Sequence, residues 1–228
     1  MTRSSAHRTP PGPAFIPRLR HVLANDTGFA ARLRREAGTP LSQSRTLVSW
    51  YRFIEHASPD LQRRGRIEVA FVVATLYAHD RRAYRRSPDD TAERTSDAAE
   101  IVADRSSMGT EGNPRMRSVN FGATLGSLVQ TASVAESPLA RRLATLLDSS
   151  LYPDGTGSLP WRLRQSLALV RAKQTESRGV VDWARLLDDL LHWNHPDRSV
   201  QRNWARSFYH FAPASLAADS GPTPIASF

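Results

Sequence analysis

The sequence predicts an all-α protein, a compact helical bundle of about eight helices with disordered tails and one long polar loop. Apolar residues recur at three- and four-residue spacings along most of the chain, the signature of amphipathic helices. Alternating strand partners and hairpin signals are missing. The 228 residues are 40% hydrophobic, enough for a substantial core, and contain no cysteine, so that core stands without disulfides.

Residues 1–17 are rich in Pro and Ser without periodicity and read as a flexible tail. An N-terminal helical part over 18–85 follows. Residues 27–36 predict a short helix closed by Gly38. Residues 42–57 predict a second, with Leu47, Tyr51 and Ile54 on one face and Pro59 ending it. Residues 67–84 are apolar all round, the pattern of a helix at the centre of a bundle. The stretch 86–118 is polar, acidic in its middle and nearly devoid of large apolar groups, so it predicts a long disordered loop.

The helical pattern resumes over 119–211. Residues 121–135 gather Leu125, Leu128, Val129 and Ala132. Residues 138–147 gather Leu139, Leu143, Leu146 and Leu147, with Pro138 in the first turn. A turn over 153–157 leads into 159–175, where Leu163, Leu167 and Val170 repeat. The most distinctive run is 181–193: Asp182 is a candidate N-cap, and Trp183, Leu186, Leu187, Leu190 and Trp193 form one apolar stripe. Val200, Trp204 and Phe208 do the same on the next helix, which makes a hairpin with an aromatic-rich seam. Residues 212–228 return to tail composition.

Charge points to a partner. The net charge is +9, and every basic residue except Lys173 is arginine. The excess is local: residues 1–85 carry +9, 86–118 carry −2, 119–178 carry +3 and 179–228 carry −1. A basic surface attracts polyanions, and the planar guanidinium fork suits phosphate oxygens. The absence of cysteine excludes thiolate nucleophiles and thiolate metal sites and fits a reducing cytoplasm. The longest apolar run, 69–74, is far short of the roughly 20 residues a bilayer demands, and 1–17 lacks the apolar segment of a secretory signal.

Catalytic constellations are thin, and the expectation is no enzyme, no metal and no cofactor. His79-Asp80 has the look of a phosphohydrolase metal pair, but arginines surround it in sequence where further ligands are needed. His192 and His195 fit a helix C-terminus. Asp188 and Asp189 are adjacent on a helix, point about 100° apart, and do not converge on a substrate. No serine sits in a nucleophile-elbow pattern.

Arginine clusters on helices are the better lead. Arg32 and Arg35 share a face with Arg34 to one side, Arg141 and Arg142 open a helix where a cation opposes the dipole, and Arg162 and Arg164 open the helix that carries Arg171 and Lys173. Such spacings build a positive stripe that follows a phosphodiester backbone. No helix-turn-helix, zinc finger or RNP motif indicates base readout. Of the tryptophans, Trp50 and Trp193 have core spacing, and Trp161, beside Pro160 after a turn, is the candidate for stacking on bases.

The Val181-Asp182-Trp183 start, Leu186-Leu187-x-Asp189-Leu190 and the closing Trp193 resemble the C-terminal end of the CasB family, the small subunit of the Cascade surveillance complex of type I-E CRISPR systems. Phe29 to Arg35, Asn120 to Leu125 and Leu139 to Leu143 fall in the family's order, so the resemblance spans about residues 18 to 211. It implies a non-catalytic helical protein that pairs with a second copy of itself alongside other Cascade subunits and crRNA. It also implies contact with target and non-target DNA strands that helps hold the R-loop open, with no membrane partner. Arg32, Arg34, Arg35, Arg141, Arg142, Arg162, Arg164 and Lys173 lie in segments comparable to the family's basic stretches. The alternative is a helical adaptor whose basic face binds an acidic partner protein.

Overall fold

The structure, a computed structural model, describes residues 10–57, 59–63, 65–80, 83, 119–131, 135–152, 156–173 and 181–211. Among the described residues are nine α-helices and no strand: α1 (Gly12–Asn25), α2 (Thr27–Arg35), α3 (Leu47–Ala57), α4 (Arg66–His79), α5 (Phe121–Thr131), α6 (Glu136–Leu147), α7 (Leu159–Lys173), α8 (Trp183–Leu191) and α9 (Ser199–Phe211). The all-α expectation holds. The loop expected over 86–118 and the tail over 212–228 lie outside the described residues.

Helix α4 is the axis. Its residues from Val69 to Ala78 are buried without exception, as its all-round apolar pattern predicts, and α2 and α8 pack on it. Its start is fixed by the Glu68 carboxylate, which accepts the Gly65 backbone N–H at 2.7 Å. It ends at His79, short of the expected residue 84.

Helix α1 corrects the expectation of a tail as far as residue 17. Phe15, Leu19 and Leu23 recur every four residues and are fully buried. Proline content misleads here, because Pro13 lies in the first turn, where a missing N–H costs nothing, and Pro17, inside the helix, forfeits one hydrogen bond that the burial of Phe15, Leu19 and Leu23 outweighs. Phe15 meets Trp50 edge-on at 6.4 Å, and Trp50 meets Phe71 at 5.2 Å, which ties α1, α3 and α4 into one aromatic cluster.

A second correction concerns α3. The continuous helix expected over 42–57 is a 3-10 turn (Leu41–Gln43), an extended Ser44, and then α3. The cause is Glu36, whose carboxylate accepts from Ser44 Oγ, from the Arg45 N–H at 2.9 Å and from Thr46 Oγ1 at 2.8 Å. Those side-chain bonds hold the backbone out of helix. The buried face of α3 is also not Leu47–Tyr51–Ile54: Trp50, Phe53 and Ile54 point inward, while Leu47 and Tyr51 are exposed.

The C-terminal hairpin divides itself between two groups of helices. Helix α8 packs on α1 and α4, and α9 lies along α5. The α5–α9 approach is backbone to backbone: a Cβ added at Gly122 would meet the Trp204 carbonyl oxygen at 2.0 Å, and one at Gly126 the Phe208 carbonyl oxygen at 2.5 Å. Glycine four residues apart on one helix face is what permits it. Asn120 locks the pair, since its Oδ1 accepts the Ala123 N–H at 3.0 Å to cap α5 and its Nδ2 donates to Ser207 Oγ at 2.8 Å on α9.

Candidate nucleic-acid interface

The expected seam forms in full. Asp182 caps α8 by accepting the Arg185 N–H at 2.9 Å, and Trp183, Leu186, Leu187, Leu190, Trp193, Val200, Trp204 and Phe208 are all buried. The polar groups of this motif are taken up structurally. Trp204 Nε1 donates to the buried Asp189 carboxylate at 2.6 Å, and Arg185 pairs with its other oxygen at 3.0 Å. Asp188 accepts the Gly12 N–H at 3.0 Å and so fastens α1 to α8. Burial pushes both carboxyls above their ordinary range, with the hydrogen bonds from Gly12 and Trp204 opposing the rise.

The arginines are arranged differently. Arg34 Nε in α2 donates to the Ala78 carbonyl at 3.3 Å, Arg171 in α7 donates to the His79 carbonyl at 3.3 Å, and Arg164 in α7 donates to the Ala37 carbonyl at 3.1 Å. Helices α2 and α7 thereby converge on the C-terminal end of α4, where unpaired carbonyls and the negative end of the helix dipole favour cations. His79 sits among these three. Burial, then Arg164, Arg171 and Arg34, hold its imidazole below the ordinary value of 6.5, and Asp80 opposes them. Its Nδ1 is buried without a hydrogen-bond partner. A setting that repels a proton also repels a metal cation, and among the described residues no cluster of three or more His, Asp or Glu side chains could hold one.

Of the residues singled out in the sequence, Arg34 and Arg164 are brought together, and Arg171 and His79 complete the cluster. Arg171 and His79 escaped site assignment because the junction joins segments far apart in the chain, which no local spacing records. Arg32 and Arg35 are exposed on α2, with the Arg32 guanidinium turned back toward Gly28. Arg141 and Arg142 are exposed on α6, which packs on α5 and α7. Because α6 begins at Glu136, they stand in its second turn and not its first, so the argument from dipole opposition does not apply to them. Lys173 is exposed in the last turn of α7. Arg162 is half-buried with its guanidinium carbon 6.0 Å from the Trp161 ring centroid. Among the described residues, none of Arg32, Arg35, Arg141, Arg142 and Arg164 forms an ion pair with a carboxylate, whereas Arg185 and Arg198 do. No described helix is long and apolar enough to cross a membrane.

The all-α fold is shared with solved CasB structures. A crystal structure of CasB from Thermus thermophilus superposes with a TM-score of 0.55 at 25% identity, covering 88% of this chain and 98% of that one. A chain in a structure described as a CRISPR RNA-guided surveillance complex shares the fold at a TM-score of 0.60 and 19% identity, covering 88% and 92%. In sequence, the model of the family described as CRISPR-associated protein Cse2 matches residues 30–209, and the chain belongs to that family. A Cse2 protein of Thermus thermophilus is 36% identical over 88 residues, which are 39% of this chain and 45% of that relative, so the aligned stretch is less than half of either protein. The resemblance read from the hairpin motif is thus borne out.

Proposed function

We propose that this protein is a non-catalytic subunit of an RNA-guided Cascade complex that grips nucleic-acid backbone without reading bases and helps keep the displaced DNA strand apart from its complement. The observation that carries the proposal is the convergence of Arg34, Arg164 and Arg171 around His79, with Arg164 and Arg171 exposed to solvent. A guanidinium has five N–H donors. In Arg164 and Arg171 one donor committed to a carbonyl fixes the side chain, and the others remain for a phosphate. Arg35 at the end of α2 and Arg141 and Arg142 on α6 add charge that no described carboxylate neutralises. R-loop formation is close to energetic balance, so a few phosphate contacts tip it. Cytoplasmic location, the contacts with crRNA and other subunits, and pairing with a second copy belong to the same reading.

Binding of the purified protein to fluorescent single strands of several unrelated sequences tests it. The expected result is equal affinity across sequences with a steep loss as salt rises. An adaptor for an acidic protein would show no affinity for any strand even at low salt.

A further inference from the structure

Four of the five tryptophans, Trp50, Trp183, Trp193 and Trp204, are buried, but Trp161 is 53% exposed. It stands in the first turn of α7, and its helix face continues through Arg164, Ala168 and Arg171 at spacings of three, four and three. All four are exposed, and the run from Trp161 to Arg171 extends about 15 Å along the axis. The small Ala168 leaves the space between the two arginines open. Arg162 takes one side of the indole, its guanidinium carbon over the ring 6.0 Å from the centroid, and the 53% of Trp161 that is exposed is what a stacking partner would meet. An indole left in water beside a cationic track is a stacking surface with phosphate anchors one and three turns further along.

We propose that Trp161 stacks on an unpaired nucleobase of a strand lying along α7, with Arg164 and Arg171 on its phosphates, so that this face selects single-stranded over duplex nucleic acid. The proposal rests on the backbone-binding reading and adds a base contact to it. A base within a duplex has both faces covered by its neighbours, whereas an unpaired base offers one to the indole whatever its identity. Stacking therefore adds strand selectivity without sequence selectivity.

Three probes of equal length separate the contributions: an oligothymidylate, the same backbone carrying abasic sites, and a duplex. The unmodified protein is expected to bind the oligothymidylate roughly tenfold more tightly than the abasic strand, which carries the same charge. Trp161→Ala should remove that difference by weakening only the oligothymidylate complex, and Trp161→Phe should restore part of it. Quenching of the solvent-exposed tryptophan emission on binding should vanish in Trp161→Phe, since the other four indoles are buried. Equal affinity of the unmodified protein for the thymidylate and abasic strands overturns the stacking proposal and leaves backbone binding standing. Failure to bind any of the three probes overturns both.

Discussion

In the α8–α9 hairpin the buried Asp189 carboxylate and the Trp204 N–H are paired with each other inside the protein, whereas at the junction of α2, α4 and α7 Arg164 and Arg171 are each pinned to a carbonyl and exposed. Asp188, Asp189 and the Trp204 N–H all have partners inside the protein, and the indole rings of Trp193 and Trp204 meet edge-on at 5.0 Å. Arg164 and Arg171 each donate one hydrogen bond to a carbonyl and remain exposed. The difference separates what makes the chain recognisable from what gives it a partner. The hairpin motif is distinctive because buried tryptophans and a buried carboxylate tolerate few substitutes, a packing constraint. The arginine face places weak demands on packing and strong ones on charge.

The division predicts that hairpin variants lose stability and junction variants lose binding. Trp204→Ala should have the largest effect, because it opens a cavity and leaves the Asp189 carboxylate without its indole donor. Together these should cost about 4–5 kcal/mol, measured by urea unfolding. Gly122→Ala comes next, since its methyl group meets the Trp204 carbonyl and forces α5 from α9. A loss of about 1–3 kcal/mol, or roughly 2–4 °C in Tm for each kcal/mol in a chain of this size, is expected in a thermal melt. A melt unchanged by Gly122→Ala would show that α5 and α9 sit further apart than the close approach described.

The smallest effect sharpens the other side. His79 titrates below its unfolded-chain value of 6.5 because burial and then Arg164, Arg171 and Arg34 disfavour the imidazolium. With the folded pKa depressed, the stability from holding His79 neutral is fully present above pH 6.5 and is lost as pH falls through the folded value. A bound phosphate offsets the arginines, raises that pKa and makes binding take up a proton. Affinity for single strands should therefore rise a few-fold as pH drops below 6.5, and His79→Gln should remove that increment while leaving the general response to acid. An identical pH profile in His79→Gln would place the phosphate away from this junction.

The sequence disclosed these regions unequally. The seam is legible to the residue, because buried stripes at helical spacing are local patterns and Asp182 is a local cap. Helix α1 is hidden by its prolines, although Phe15, Leu19 and Leu23 carry the period. The inward face of α3 is misread from sequence because Leu47 and Tyr51 are as apolar as the residues that are buried, and only the aromatic cluster around Phe15 and Phe71 decides between them. Arg34 and Arg164 are visible in sequence as separate helix-face charges. Their meeting with Arg171 and His79 depends on how α2, α4 and α7 pack, and the Glu36 network that sets the exit from α2 lies in side-chain geometry.

The most direct test of the central claim is the slope of log affinity against log salt for single-stranded DNA, measured for the unmodified protein and for Arg164→Ala/Arg171→Ala, with a thermal melt of each. The account predicts a slope shallower by roughly 1.4 units in the double variant, about 0.7 for each phosphate no longer neutralised, with a melting curve nearly unmoved. An unchanged slope, or a flattened slope accompanied by unfolding, would contradict it.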